Sequence, residues 1–152
     1  MTRIGPWFRV PVCAAVLSLA AAGCGGAPPF AAAAPPPGDP AAGKRVYVRC
    51  IGCHSPARNR TGPRHCGLFG RLSGTVPGFD YSAAMKKAAI TWNAETLDWF
   101  LLDPMEAIPG TSMTFAGVKD ARERRNLIAY LATLDADSQA CRSVAAKLRK
   151  EG

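Results

Sequence analysis

The chain has 152 residues, 19 Lys and Arg against 11 Asp and Glu, and 48% hydrophobic residues. Its length fits one domain, its apolar content excludes a disordered chain, and no breaker-free apolar run reaches the ~18 residues that suggest a retained membrane span. Six cysteines are too few for a disulfide-dense scaffold, and by position they fall into three pairs, Cys13 with Cys24, Cys50 with Cys53, and Cys66 with Cys141.

Met1 to Arg9 carries Arg3 and Arg9 and no acid, and Val10 to Ala22 is apolar. That length suits the hydrophobic region of a signal peptide and is short for a span. Two processing exits are open. Ala-x-Ala triplets around Ala31 to Ala34 suit an ordinary signal peptidase. Ala21-Ala22-Gly23-Cys24 resembles the lipobox of bacterial lipoproteins, with Ala21 where that motif prefers Leu. If the second is used, Cys24 becomes the lipidated first residue, held firmly because two or more acyl chains anchor stably. Residues 1–24 are therefore expected to be a leader, and either exit takes the protein out of the cytoplasm. Residues 25–42 hold six prolines and a block of alanines. Such a stretch cannot bury a core, prefers extended polyproline II, and reads as a linker. The folded part is expected over 43–134, with a carboxy-terminal extension over 135–152.

Ala41 to Cys50 reads as a first helix, in which Gly43 permits another backbone to come close. At its end stands Cys50-Ile51-Gly52-Cys53-His54, the Cys-x-x-Cys-His attachment signature of c-type haem. Two thiols three residues apart on a helical turn reach the two vinyl groups of one porphyrin, and the next residue sends an imidazole to the iron. A redox disulfide would need βαβ patterning, which is absent. A zinc site would need a second cysteine pair at suitable spacing, and none exists. Ser82 to Ala88 is a short helix capped by Ser82, and Asn93 to Leu102 is the next, stopped by Pro104. Asp120 opens the last helix, where Ile128, Leu131, Ala132 and Leu134 repeat at helical spacing. No segment alternates as a strand should, so the fold is expected to be all-α, with four or so helices and long loops.

The flanks of the attachment run form a recognisable order. Gly43-Lys44-Arg45-Val46-Tyr47 precedes it, and Thr61-Gly62-Pro63, Gly67-Leu68-Phe69-Gly70-Arg71 and Val76-Pro77-Gly78-Phe79-Asp80-Tyr81-Ser82 follow. Ile90-Thr91-Trp92, Thr96-Leu97 and Pro109-Gly110-Thr111-Ser112-Met113 complete it. This order resembles class I cytochromes c, the mitochondrial-like branch and its bacterial cytochrome c2 relatives, from about Gly43 to Leu134. The resemblance implies a small all-α fold around one covalent haem, with Cys50 and Cys53 holding the haem. His54 would be the proximal iron ligand and Met113 the sixth. Met85 would pack in the core, and Met105 would sit in a loop after Pro104. The Pro63 carbonyl would accept the proximal ring N–H, while Arg71, Tyr81 and Trp92 would satisfy the haem propionates. Tyr130 would stack on the first helix near Gly43 and Tyr47. Phe100 stands where many relatives have tyrosine, and Met85 where asparagine usually joins a water network, so this pocket is more apolar.

Cys66 and Cys141 have no haem role in that scheme. Relatives bring the end of the last helix near the loop that carries Cys66, so a Cys66–Cys141 disulfide pinning the extension to the core is expected. His65 is expected to be an exposed loop residue. Between Pro40 and Phe79 there are seven basic residues (Lys44, Arg45, Arg49, Arg58, Arg60, Arg64, Arg71) and no acids. Relatives use a basic rim to steer onto acidic partners. Here the rim is diluted, because Met105, Glu106 and Ser112 occupy a loop that is usually rich in lysine.

The resemblance implies a one-electron carrier and not an enzyme, because a His/Met pair leaves no open iron position. It would work in the bacterial periplasm, tethered to the membrane if Cys24 is lipidated. Its partners would be a cytochrome bc1 complex, terminal oxidase, reaction centre or dehydrogenase, and not nucleic acid. The alternative is a dedicated electron-acceptor subunit of an exported dehydrogenase or oxidase.

Overall fold

The computed structural model describes residues 37–139 and 141–142. The expected leader, Cys24, residues 25–36 of the expected linker and most of the extension lie outside these residues, and residues 40–42 of that linker are helical rather than extended. Among the described residues, the named helices are α1 (Pro40–Tyr47), α2 (Ala83–Lys87), α3 (Ala94–Leu102), α4 (Pro104–Ala107) and α5 (Ala121–Ala132). Among the described residues there is no strand, only one isolated antiparallel bridge between Leu72 and Thr91. None of the described helices is long and apolar enough to cross a membrane.

Side-chain caps set the helix starts. Asp39 accepts from the Ala41 N–H, and Pro40 fills the first helical position, where its missing N–H is not needed. Ser82 accepts from the Met85 N–H. Asn93 and Thr96 form a reciprocal capping box. Asp103 opens α4 by accepting from the Glu106 N–H, so the segment after Pro104 is a short helix rather than the expected loop. Met105 stands on that helix and is 49% exposed. Pro104 both ends α3 and begins α4, since proline is disfavoured in a helix interior but suits its first turn.

The main helix contact is α1 against α5. It depends on Gly43, where a Cβ would lie 2.8 Å from the Tyr130 Cβ and would run into the Asn126 carbonyl. Tyr47 packs against Tyr130 with ring centroids 5.0 Å apart, as expected. On α5 the buried positions are Arg124, Leu127, Ile128 and Leu131. Ala132 is exposed, contrary to the periodic reading, and Leu127 takes its place in the core, 1% exposed. Leu134 is buried beyond the helix end. Arg124 is buried too, its guanidinium donating to Asp98 Oδ1 at 2.7 Å and Oδ2 at 3.1 Å and to the Val118 carbonyl at 2.9 Å. That pair ties α5 to α3.

Candidate functional site

The site begins where α1 runs out. Beyond Tyr47 the chain continues in turns, with the Cys53 and His54 N–H groups donating to the Cys50 carbonyl at 3.1 and 2.8 Å. One turn therefore presents both thiols and the imidazole together. Neither Cys50 nor Cys53 is in a disulfide. Burial pushes the Cys50 thiol up to about 11.

His54 is 8% exposed, and its Nδ1 lies 2.8 Å from the Pro63 carbonyl. A carbonyl can only accept, so Nδ1 carries the proton and Nε2 keeps its lone pair for a metal. Burial lowers the basicity of the ring, and the Pro63 bond opposes that. Gly62 is required beside it, because a Cβ there would sit 2.7 Å from Nδ1 and from Nε2 of His54. The Gly62 N–H closes the loop by donating to the Cys53 carbonyl at 2.8 Å.

These groups border one largely apolar cavity of about 410 Å³, a size suited to a small-molecule or cofactor site. Met113 lines the same cavity, in a turn where Gly110 takes φ +88° and the Met113 N–H donates to Thr111 Oγ1 at 3.3 Å. Met85 also borders it while packed in the core at 8% exposure, and Met105 does not reach it. Arg71, Tyr81 and Trp92 also line this cavity. Arg71 donates to the Arg64 carbonyl at 3.0 Å and the Cys66 carbonyl at 3.2 Å, which holds the loop after Pro63. Burial lowers its pKa and raises that of Tyr81. Trp92 is 6% exposed and packs on Phe100 with centroids 5.1 Å apart.

The cavity thus brings together two free thiols, a buried imidazole with one nitrogen available, a thioether and a cation on an apolar wall. This donor set fits haem held by two thioether bonds, with nitrogen and sulfur available to the iron. Every residue that sequence reasoning assigned to the haem lines this cavity, Cys50, Cys53, His54, Pro63, Arg71, Tyr81, Trp92 and Met113 alike. Cys66 and Cys141 are joined as a disulfide, with Cα atoms 5.9 Å apart.

One residue departs from expectation. His65 is not an exposed loop side chain. Its ring stacks on His54 with centroids 4.2 Å apart, and its Nδ1 lies 3.0 Å from the Tyr47 hydroxyl. Sequence reasoning also missed Arg124, whose only signal was a basic residue one turn into an otherwise apolar helix face.

The family model described as "Cytochrome c" matches residues 40–135. Cytochrome c2 from Blastochloris viridis is 48% identical over 102 residues, covering 65% of this chain and 80% of that protein. Cytochrome c from Euglena viridis is 48% identical over 100 residues, covering 64% of this chain and 98% of that protein. The solved structure of cytochrome cH from Methylobacterium extorquens matches with a TM-score of 0.62 and 38% identity, covering 63% of this chain and 99% of that one.

Proposed function

The chain belongs to the cytochrome c family, and on that premise we propose that it is a mono-haem carrier passing single electrons between exported redox proteins. Its cofactor is one covalent haem c. The observation that carries the reading is the single cavity shared by Cys50, Cys53, His54 and Met113, with the His54 Nδ1 committed to Pro63.

A haem held there supplies a one-electron couple. Cys50 and Cys53 fix it to the chain, so it is never released between partners. His54 donates through Nε2, and the Pro63 carbonyl holds its tautomer and increases its donor strength. Met113 contributes a soft sulfur that favours the reduced metal and raises the potential. With His54 and Met113 both serving as ligands, no position would be left for a substrate, which supports carrying over catalysis. Arg71, Tyr81 and Trp92 would hold the charged edge of the group, and the apolar lining would exclude water.

The basic stretch supports docking on acidic partners, with Lys44, Arg45, Arg58 and Arg60 exposed. Arg49 is engaged, donating to both carboxylate oxygens of Glu123 at 2.8 and 2.9 Å, and Arg71 points into the cavity wall. The rim that steers a partner is therefore smaller than the sequence count of seven. Membrane redox complexes or an exported dehydrogenase are the partner classes that fit. The amino-terminal sequence supports a periplasmic location, with a lipid tether if Cys24 is processed as its Ala-Ala-Gly-Cys context suggests.

The test is the visible spectrum of the mature protein, oxidised and reduced, including the weak far-red band that reports Met–Fe(III) bonding. A sharp c-type reduced spectrum, a far-red band and no shift with carbon monoxide are expected. A c-type spectrum without the band that changes readily with carbon monoxide would remove Met113 as ligand and the carrier role with it.

A further inference from the structure

One aromatic side chain that lines the cavity, His65, has no part in the carrier reading, and its surroundings give it one. The Pro63 carbonyl holds His54 at a single atom, Nδ1. That bond fixes the tautomer, while the plane of the ring is limited by what packs against it, Gly62 and a neighbouring aromatic ring. A second ring packed flat on the first holds that plane. His65 provides it, with an interplanar angle of 21° and a centroid distance of 4.2 Å.

The His65 ring is itself fixed from several sides. Its Nδ1 is hydrogen-bonded with the Tyr47 hydroxyl at 3.0 Å, and Tyr47 also meets its edge at 5.6 Å. Tyr47 is 4% exposed and rests on Tyr130 of α5. The His65 backbone N–H donates to the Ser55 and Pro56 carbonyls at 3.2 and 3.1 Å. The next residue is anchored by the Cys66–Cys141 disulfide, and the Gly67 N–H donates to the Leu134 carbonyl at 2.8 Å. A chain of contacts therefore runs from the α1–α5 packing through Tyr47 and His65 to the face of His54.

We infer that His65, locked by the Tyr47 hydroxyl, is a positioning residue that sets the ring plane of the proximal histidine and so the strength of its donation to the iron. The inference rests on the haem-carrier reading. Loosening the ring weakens the Nδ1 bond to Pro63, makes imidazole a poorer donor, and favours the reduced state.

The experiment uses the purified haem-loaded protein and the variants His65→Leu, His65→Phe and Tyr47→Phe. Three quantities are read: the hyperfine-shifted resonances of the His54 ring in the oxidised state, the equilibrium potential, and the melting midpoint. His65→Leu is expected to move the His54 resonances and to raise the reduced-to-oxidised ratio about threefold against a fixed redox buffer, about 28 mV at 59 mV per tenfold for one electron. Tyr47→Phe, which deletes one oxygen and keeps the ring packing, moves both in the same direction by less. His65→Phe restores a flat stacked ring and brings the resonances back toward wild type. Should His65→Leu fail to fold, Tyr47→Phe carries the same test. Variants that lower the melting midpoint but leave resonances and potential unmoved overturn the inference. A wild-type protein without a low-spin c-type spectrum overturns the carrier reading and this inference together, whereas a normal wild-type spectrum with unmoved variants overturns this inference alone.

Discussion

Arg71 shows how one side chain serves two purposes at the site. Its guanidinium holds the loop after Pro63 through two carbonyls, and it places a fixed positive charge on the cavity wall. A nearby cation favours the more reduced, less positive site. Arg71→Gln keeps a donor but loses the charge, so the potential should fall, on the order of 59 mV for a tenfold change in the one-electron equilibrium, as a titration against redox mediators would read. Arg124 is the structural counterpart. It is 7% exposed, and its partner Asp98 has a side chain 44% exposed. Asp98→Ala leaves a buried guanidinium with carbonyl partners only. Removing one member of a buried pair costs more than the pair itself contributes. Because Asp98 is partly solvated and the carbonyls remain, the loss should be ~2 kcal/mol in a denaturant melt, less than for a fully buried pair.

At the scale of elements, the contact between α1 and α5 places the haem-attachment turn, because Cys50 follows directly from α1. Gly43→Val would push a branched side chain into the Asn126 carbonyl and should destabilise by about 1–3 kcal/mol, as overpacking does. Thermal denaturation followed by the haem absorbance would show it. The caps of α4 and α5 give a pH dependence. The Lys119 ammonium, and then the Glu106 N–H, hold the Asp103 carboxyl below its ordinary range, and the Glu123 N–H does the same for Asp120. In both cases the folded state binds a proton less readily than the unfolded chain. Their contribution is complete above the ordinary carboxylate pKa of ~4 and is lost as pH falls through the folded values. Melting midpoints should therefore drop below pH ~4, and Asp120→Asn, a cap that does not titrate, should flatten that drop.

For the molecule as a whole, the Cys66–Cys141 disulfide closes a loop with a sequence separation of 75. It links the proximal-side loop to the segment that follows α5. In the chain-entropy account such a loop contributes about 4–5 kcal/mol. The thioether-bound haem already restricts the unfolded chain, so a Cys66→Ala/Cys141→Ala variant should lose about 2–4 kcal/mol. Intact-mass analysis after alkylation without reductant checks the bond first: two alkylated thiols in the native protein would remove it. The sequence charge of +8, of which Arg3 and Arg9 of the expected leader supply two, also has a consequence at this scale. Association with an acidic redox partner should slow as ionic strength rises, because surface charges are screened within about 8–10 Å at physiological salt. Stopped-flow rates at two salt concentrations would read it.

The sequence by itself determined the haem motif, the order of flanking motifs, the starts of α2, α3 and α5 and the all-α class. Each of these is local information. Cys-x-x-Cys-His works through spacing within one turn, and Ser82, Asn93 and Asp120 cap helices through their own near-neighbour N–H groups. Where a local signal had two uses it was read in part, as with Pro104, which stops α3 and starts α4. The side of α5 that faces the core follows the expected Ile128, Leu131 and Leu134, but tertiary structure decided the limits of that face, burying Leu127 and leaving Ala132 exposed. It also decided the fate of His65 and Arg124. A histidine in a polar loop and an arginine in a charged helix carry the same sequence signature whether solvated or buried. The half-buried His65 and the buried Arg124 depend on partners distant in the chain, Tyr47 at 18 residues for His65 and Asp98 at 26 for Arg124. Those partners compensate the cost of taking a polar group out of water, and only the folded chain brings them within reach.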